Sequence, residues 1–254
     1  MSWAARRRFI ILLIAGAVVV AFLVTILIAT FYKAPSCTDG ANNGDEAGID
    51  CGGSCPYLCT AQVQPPTVLF TKALENGVGR TDVIASVENK NANAAAKDIP
   101  YRITFYGVNQ LLIQEITGTF DLSPGATAPI YVAGISSGKQ KVVNAFLDID
   151  PSSPRWFGMS ADPRVVPIVS NTTQSGTSDA PRIDAVLSNP SVTPLTNVQI
   201  VVLVHGASGD VIAASKTIVP IIPAQGKATA TFTWNSAFSQ TPTSIEVVPI
   251  IPLP

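Results

Sequence analysis

The sequence is poor in charge and nearly devoid of histidine. Only 13% of its 254 residues are Asp, Glu, Lys or Arg, about half the share usual in soluble domains. His205 is the single histidine, which gives no basis for a Ser-His-Asp, Cys-His or multi-histidine site. No glycine-rich phosphate loop and no nucleophile elbow is present either. The sequence therefore predicts a protein that is not an enzyme.

The charges that are present are balanced, with 16 basic against 17 acidic residues. No basic excess is available to neutralise phosphates, so we expect no nucleic-acid partner. Only one run is long and apolar enough to cross a bilayer, which excludes a multi-spanning transporter. Abundant β-branched residues exclude a disordered chain.

That apolar run extends over residues 9–32 without a charge, enough to cross the hydrocarbon core as one helix. Arg6, Arg7 and Arg8 precede it and Lys33 follows it. By the positive-inside rule, residues 1–8 are cytoplasmic and everything after Lys33 is extracytoplasmic. The sequence predicts a single-pass plasma-membrane protein; the alternative is a signal peptide cleaved near residue 29 or 34.

All four cysteines, Cys37, Cys51, Cys55 and Cys59, lie in a predicted stalk module over residues 33–61. Outside the membrane such a cluster indicates two disulfides, for which three pairings exist. A Cys37–Cys51 bridge would draw together the ends of the loop between them and leave Cys55 and Cys59 as the second pair.

The loop between Cys37 and Cys51 partly matches a 12-residue calcium loop. Asp39, Asn43, Asp45 and Asp50 fall at positions 1, 5, 7 and 12, with glycine at the obligatory turn. Position 3 is alanine and no helical pattern flanks the loop. Three interpretations stay open: a metal-free disulfide spacer, a weak calcium site formed by these four residues, and a four-thiolate zinc site.

This cysteine-rich segment resembles a short motif of bacterial surface proteins, Cys-x-Asp-Gly-x-x-Asn-Gly-Asp/Glu-x-x-x-x-Asp-Cys-Gly-Gly-x-Cys. The motif usually lies beside a membrane anchor or between β-rich domains. The resemblance covers residues 37–59 and implies an extracytoplasmic module without an activity of its own.

Residues 60–254 have the pattern of many short strands, and this pattern occurs twice. Five landmarks recur in the same order at offsets of 98–101 residues: 87–89 as 187–189, 101–107 as 200–206, 122–125 as 221–226, 130–132 as 231–233, and 147–151 as 245–249. The fold predicted is therefore mainly β, with two tandem immunoglobulin-like β-sandwiches over 62–154 and 167–254 and a linker at 155–166.

The two copies differ on one strand face. Arg102 and Thr104 lie on the predicted outer face of the first copy, where the second copy has Val201 and Leu203. An apolar outer face commonly marks an interface. We expect Val201 and Leu203 to contact the first sandwich or a partner protein; the alternative is cover by a loop of their own domain.

Aromatic and aliphatic residues of the alternating strands predict the two cores. The residues expected to point inward are Phe105, Phe120, Phe146, Val204 and Phe232. Trp156 and Phe157 are expected either at the junction between the sandwiches or in the first core.

The two copies resemble bacterial adhesion-related and FxLYD-type sandwich families and the water-stress sandwich of late-embryogenesis proteins. The resemblance depends on Asn89 and Asn189 at strand ends, on Tyr106-Gly107, on the corner at 122–125 and on the strand at 229–234. It covers residues 67–254 and implies accessory binding or spacing roles without catalytic residues.

Together these features predict a non-catalytic binding or scaffolding protein of the cell envelope, serving adhesion or a surface or secretion assembly. The expected partner is an envelope protein or a polysaccharide, and the cofactor that the sequence suggests is calcium. The alternative is a cell-wall or glycan-binding module, for which Trp156, Trp234 and Tyr131 are the candidate exposed aromatics. An envelope enzyme is the least favoured hypothesis.

Overall fold

The computed structural model describes residues 3–31, 36–77, 79–136, 140–160 and 162–254. Tyr32, the last residue of the predicted membrane segment, lies outside these residues, and so do Lys33 and Ala34 of the predicted stalk module. The chain divides into two compact units, Met1–Cys55 and Pro56–Pro254.

The first unit begins with helix α1 (Trp3–Phe31). Its segment Arg6–Phe31 is long and apolar enough to cross a membrane. Every side chain described in this helix is exposed, so its apolar surface has no cover from the protein itself. A membrane anchor has this character, and so does a signal sequence.

The second unit begins with seven strands that form the first β module. They are β1 (Thr67–Glu75), β2 (Arg80–Glu88), β3 (Ala94–Tyr106), β4 (Leu112–Leu122), β5 (Thr127–Ser136), β6 (Asn144–Asp148) and β7 (Trp156–Gly158). One antiparallel sheet has the order β1-β2-β5, and the other has the order β4-β3-β6, with β7 also paired to β3.

Six further strands form the second β module. They are β8 (Ile168–Thr177), β9 (Ala180–Ser188), β10 (Leu195–His205), β11 (Val211–Ile222), β12 (Lys227–Thr233) and β13 (Ser244–Ile250). Their sheets have the orders β12-β9-β8 and β11-β10-β13. Strands β8 to β13 thus pair with one another in the same order as β1 to β6.

Each module has its own hydrophobic core, to which strands of both its sheets contribute. Ile103 and Phe105 of β3 are fully buried, while Arg102 and Thr104 between them face outward. This alternation follows from the two-residue side-chain period of a strand. The chain is therefore mainly β, as predicted.

A buried asparagine ends the second strand of each module. Asn89 follows β2 and Asn189 follows β9, and each is 1% exposed. Both donate through Nδ2 to backbone carbonyls of two different turns, those of Ala94 and Ser123 in the first module. The equivalent acceptors in the second module are the carbonyls of Thr193 and Pro223.

The expectation for Phe146 is wrong, whereas Phe105, Val204 and Phe232 are fully buried as expected. Phe146 is 59% exposed. Its neighbours Ala145 and Leu147 in β6 point to the core, so the strand period directs Phe146 outward.

Two predicted boundaries also need correction. Trp156 is 2% exposed within the first core and begins β7, so the first module continues into the predicted linker of residues 155–166. At the other end, Leu58 and Val63 pack against the same core. The Leu58 N–H also donates to the Trp156 carbonyl at 2.8 Å, so the predicted stalk of residues 33–61 ends earlier than expected.

Candidate functional site

The disulfides of the cysteine-rich segment differ from the pairing considered first. Cys37 is bonded to Cys55, with their Cα atoms 5.6 Å apart, and Cys51 and Cys59 are also disulfide-bonded. Each described cysteine is therefore oxidised, and a Cys37–Cys51 bridge is absent from the described structure. A four-thiolate zinc site is incompatible with this arrangement because metal ligation requires free thiolates.

Asp50, rather than a disulfide, holds the ends of the 39–50 loop together. Its carboxylate accepts hydrogen bonds from the backbone N–H groups of Asp39 at 3.0 Å and of Gly40 at 3.0 Å. This carboxylate occupies the position that the sequence analysis assigned to calcium ligand 12. Its described contacts stabilise the chain reversal itself.

The other proposed calcium ligands also contact the loop. Asp39 accepts hydrogen bonds from the Ala41 N–H and from the Asn43 side-chain amide. The Asp45 carboxylate accepts a hydrogen bond from the Ser54 hydroxyl, with Oγ and Oδ1 2.6 Å apart. This hydrogen bond lowers the pKa of the Asp45 carboxyl.

These carboxylates do not converge on a common point. Within the described residues, one group of three or more His, Cys, Asp or Glu ligand atoms lies within 4.8 Å of one another, and it consists of Cys37, Glu46 and Cys55. Two of its members are disulfide sulfurs, which are poor metal ligands. Calcium binding by the 39–50 loop and the metal-free spacer both stay hypotheses.

The Gly-Gly pair after Cys51 has a steric explanation. Gly53 has a φ of +59°, and a Cβ at this position would lie 1.9 Å from the Asp45 carbonyl oxygen. Only glycine fits such a close backbone approach at positive φ. The Gly-Gly of the motif therefore serves the fold of the loop.

Val201 and Leu203 are buried against the first β module. Val201 is 1% and Leu203 is 4% exposed, in one cluster with Leu74 of β1 and Ile84 of β2. Val211 and Ala214 of β11 complete this apolar interface, which we call the docked face. The sequence left three possible covers for Val201 and Leu203: the first sandwich, a partner protein or a loop of their own domain. In the structure they contact the first β module, so they are not available to a separate partner.

A polar network borders the docked face. Asp82 of β2 is 2% exposed and accepts hydrogen bonds from the Tyr131 hydroxyl, the Asn76 amide and the Gly134 N–H. The Ser215 hydroxyl of β11 contacts the same phenol. Burial, together with the Asp82 hydrogen bond, raises the pKa of Tyr131. The phenol therefore stays protonated and links polar groups of both modules.

The C-terminal residues cross back onto the first module. Leu253 is 2% exposed and packs with Met159, and its N–H donates to Asp121 of β4 at 2.8 Å. Arg164, in the connection between the modules, donates to the Ile251 carbonyl and to Ser123. The second module therefore contacts the first both before its first strand, through Arg164, and after its last strand, through Leu253.

The three aromatics proposed for glycan contact are unsuited to it because their rings are buried or hydrogen-bonded inside the protein. Trp156 and Trp234 are 2% and 5% exposed, and Trp234 Nε1 donates to the Ala214 carbonyl at 3.2 Å. Tyr131 belongs to the Asp82 network. All three therefore have internal roles.

The outer side of sheet β4-β3-β6 carries an aromatic pair that sequence reasoning missed. Tyr106 and Phe146 are in edge-to-face contact, with ring centroids 5.8 Å apart. The register places Phe146 opposite Thr104, and Asp148 opposite Arg102, on this side. The residues Arg102, Thr104, Tyr106, Gln110, Glu115, Asn144, Phe146 and Asp148 line a shallow cavity of about 560 Å³, which we call the open face.

An ion pair lies beside the aromatic pair on the open face. Arg102 donates to Asp148 at 2.9 Å, and both side chains are more than half exposed. This hydrogen bond, helped by Glu115, raises the pKa of the Arg102 guanidinium. The open face thus combines aromatic rings with fixed donors and acceptors. The alternation of Arg102, Thr104 and Tyr106 in the sequence was the signal that could have predicted it.

The remaining titratable groups named from the sequence have separate structural contacts. His205 Nδ1 lies 3.0 Å from the Gly209 carbonyl, within the turn between β10 and β11. Asp150 accepts the Ser152 hydroxyl and Asp162 accepts the Arg164 guanidinium, and each hydrogen bond lowers the carboxyl pKa.

No protein-family model matches the chain, and no curated protein matches it. Among solved structures, a red sea bream transglutaminase aligns over 74% of this chain and 29% of its own, at 14% identity and a TM-score of 0.26. A family 2 β-glucuronidase aligns over 83% of this chain and 26% of its own, at 13% identity and a TM-score of 0.23. The chain spans less than a third of the length of these two proteins, and likeness at this level carries no functional argument.

Proposed function

We propose that the protein is a single-pass, extracytoplasmic component of the cell envelope that binds or supports a partner without catalysis. The exposed apolar helix α1 supports membrane anchoring. Fully oxidised cysteines support a location outside the cytoplasm. An envelope protein or polysaccharide is the partner class that suits this location.

We infer that each β module is an immunoglobulin-like sandwich. The support is the shared strand order of the two modules and the single core to which both sheets of a module contribute. Such sandwiches serve many unrelated functions, so the argument for function depends on surfaces rather than on the fold.

Burial of the docked face is the observation that carries the scaffolding proposal. An apolar sheet face of one module packs on an apolar sheet face of the other. This leaves little freedom for hinge motion between the modules. A stiff pair of β modules suits a protein that presents a surface at a fixed place.

The anchored topology is tested on the full chain in the membranes of cells that express it. We expect the protein to resist alkaline extraction and to have an intact mass near 26.6 kDa. External protease should remove the β modules from intact cells. A soluble product that starts near residue 29 or 34 would overturn the anchor, and protection from external protease would overturn the orientation.

A glycan-binding role is a second candidate, and the open face favours it. The rings of Tyr106 and Phe146 offer apolar area for the C–H faces of a sugar. Arg102, Asp148 and Asn144 offer donors and acceptors for hydroxyl groups. Six of the eight residues that line the open face are polar or charged, which suits a ligand rich in hydroxyl groups.

The glycan hypothesis is tested by sedimentation of the detergent-solubilised full chain with purified cell-wall polysaccharide. Phe146→Ala should reduce the bound fraction several-fold. Val192→Ala, at a side chain that is 77% exposed outside the open face, is the matched control and should bind like the wild type. Equal binding by both variants would exclude the open face as the site.

A further inference from the structure

Strand β8 is a long sheet border without edge protection. It spans ten residues, Ile168–Thr177, and contains neither a charged residue nor a proline. It pairs with β9 on one side, and Thr173 to Thr177 are all exposed. The backbone groups on its other side are available to pair with another strand.

The other sheet borders in the described part of the chain carry protection, apart from β7, which is only three residues long. Eight strands end the hydrogen-bonded order of the four sheets. Seven of them contain a charge or a proline: Lys72 in β1, Glu115 in β4, Pro129 in β5, Asp148 in β6, Lys216 and Pro220 in β11, Lys227 in β12, and Glu246 and Pro249 in β13. Charges and prolines on borders are the common means by which proteins prevent strand pairing.

The equivalent border of the first module is closed. There, the Leu147 N–H of β6 donates to Thr71 Oγ1 of β1 at 3.3 Å. Among the described residues no hydrogen bond joins β8 to β13, the equivalent strands. Val169, Ile245 and Val247 at this border are only partly buried in the second core.

A bulge between Val169 and Asn171 interrupts the pairing of β8 with β9. Beyond it, Asn171–Thr177 pairs with β9 without a register shift. On β9, Asp184 lies opposite Thr173, and its charge is matched by Arg182 at 2.7 Å. The surface around Thr173 is therefore neutral as well as regular.

From these contacts we propose that β8 pairs antiparallel with β8 of a second copy of this chain, forming a two-fold dimer around Asn171–Ser175. In a two-fold antiparallel pair the residue on the axis faces its own copy, and the residues on either side of it face one another across the axis. A charge on the axis would therefore face an equal charge, which destabilises a strand pair. β8 alone among the eight border strands has neither a charge nor a proline, so self-pairing meets no repulsion. This pairing would join the β12-β9-β8 sheets of the two copies into one six-stranded sheet.

Cysteine cross-linking of the full chain in membranes tests this dimer. Single cysteines are placed at each of 171–175 in β8, and as controls at Thr229 and Thr233 in β12, the opposite border of the same sheet. Antiparallel neighbours have Cα atoms about 4.5–5.5 Å apart, which permits a disulfide. We expect disulfide-linked dimer to peak at one β8 position, several-fold above both controls. Equal yields at β8 and β12 would overturn the proposal.

A charge variant provides the second test. Thr173→Lys places two like charges across the two-fold axis, so it should abolish cross-linking at the best β8 position and give monomers in analytical ultracentrifugation. Thr229→Lys is the matched control and should stay dimeric. Matching far-ultraviolet circular dichroism spectra would show that both variants are folded. A Thr173→Lys protein that stays dimeric would contradict pairing through β8.

Discussion

Two buried asparagines, Asn89 and Asn189, fix the turns of the β modules. Asn89 Nδ2 donates to the Ala94 and Ser123 carbonyls, and its Oδ1 accepts the Asn91 N–H at 3.0 Å. One side chain therefore joins the turn after β2 to the turn after β4. The Asn89 amide thus satisfies one backbone carbonyl in each of the two turns.

Asn89→Ala should destabilise the protein by about 2–4 kcal/mol, because it leaves two buried carbonyls and one N–H without a partner. Asn189→Ala should have an effect of the same size. The urea midpoint measures both. Lys90→Ala, on the surface next to Asn89, is the control and should change stability by less than about 0.5 kcal/mol. A small effect for Asn89→Ala would show that water replaces the amide.

Asp50 distinguishes a metal-free loop from a calcium loop. In the structure its carboxylate accepts hydrogen bonds from the backbone N–H groups of Asp39 and Gly40. These contacts are internal and need no ion.

We expect Asp50→Ala to increase hydrogen exchange at the amides of Asp39 and Gly40, because the variant lacks the carboxylate that accepts their hydrogen bonds. This increase should occur in the presence of a calcium chelator. Wild-type exchange should not change when calcium replaces the chelator. Asp179→Ala, in the turn after β8, is the control. Protection of the 39–50 loop only in calcium would instead support a metal site.

At the scale of the strands, side-chain alternation decides which surfaces meet. Tyr106, Thr104 and Arg102 of β3 occupy the same outer positions as His205, Leu203 and Val201 of β10. Equivalent strands thus present a polar surface in one module and an apolar surface in the other. The apolar one is covered and the polar one forms the open face.

Leu203→Arg should separate the two β modules while each keeps its fold. Burial of Leu203 contributes about 1.5–3 kcal/mol, and an arginine in its place would be an unpaired buried charge. Arg164, whose side chain is 11% exposed, should then become a site of rapid trypsin cleavage.

The matched control is Thr104→Arg, at the equivalent position on the open face, which should keep the slow cleavage of the wild type. Far-ultraviolet circular dichroism should be unchanged in both variants. Loss of the β signal in Leu203→Arg would show that the docked face is required for folding of the second module itself.

For the whole second unit, stability depends on the contacts that join the modules. The docked face, the Asp82–Tyr131 network and the C-terminal residues around Leu253 all join them. The pKa of Tyr131 is raised in the folded state. As pH rises, the phenol therefore loses its proton in the unfolded chain at a lower pH than in the folded protein. Stability from this group is complete below the ordinary tyrosine pKa of about 10 and decreases above it.

Tyr131→Phe should therefore weaken the loss of stability between pH 8 and pH 10.5 relative to the wild type. The measurement is the urea midpoint at both pH values. Lysines and other groups that titrate in this range contribute equally to both proteins and cancel in the comparison. Tyr57→Phe is the control, and an identical pH response of Tyr131→Phe and wild type would contradict the role of the buried phenol.

Much of the architecture could be predicted from local pattern. Strand periodicity correctly placed Ile103 and Phe105 inside and Arg102 and Thr104 outside. It failed for Phe146, because one residue of register in a short strand exchanges the two faces. The Cys37–Cys55 pairing could not be predicted either, since the Asp50 carboxylate closes the loop where a disulfide was expected.

The sequence by itself determined the apolar N-terminal helix, the mainly β fold and the contrast between Val201 and Arg102, because each depends on local composition and on the two-residue period of a strand. Only the tertiary structure decided what covers Val201 and Leu203, which aromatics stay exposed, and that β8 forms an open border. These outcomes depend on contacts between residues far apart in the chain, and local pattern does not specify which distant surface a strand meets.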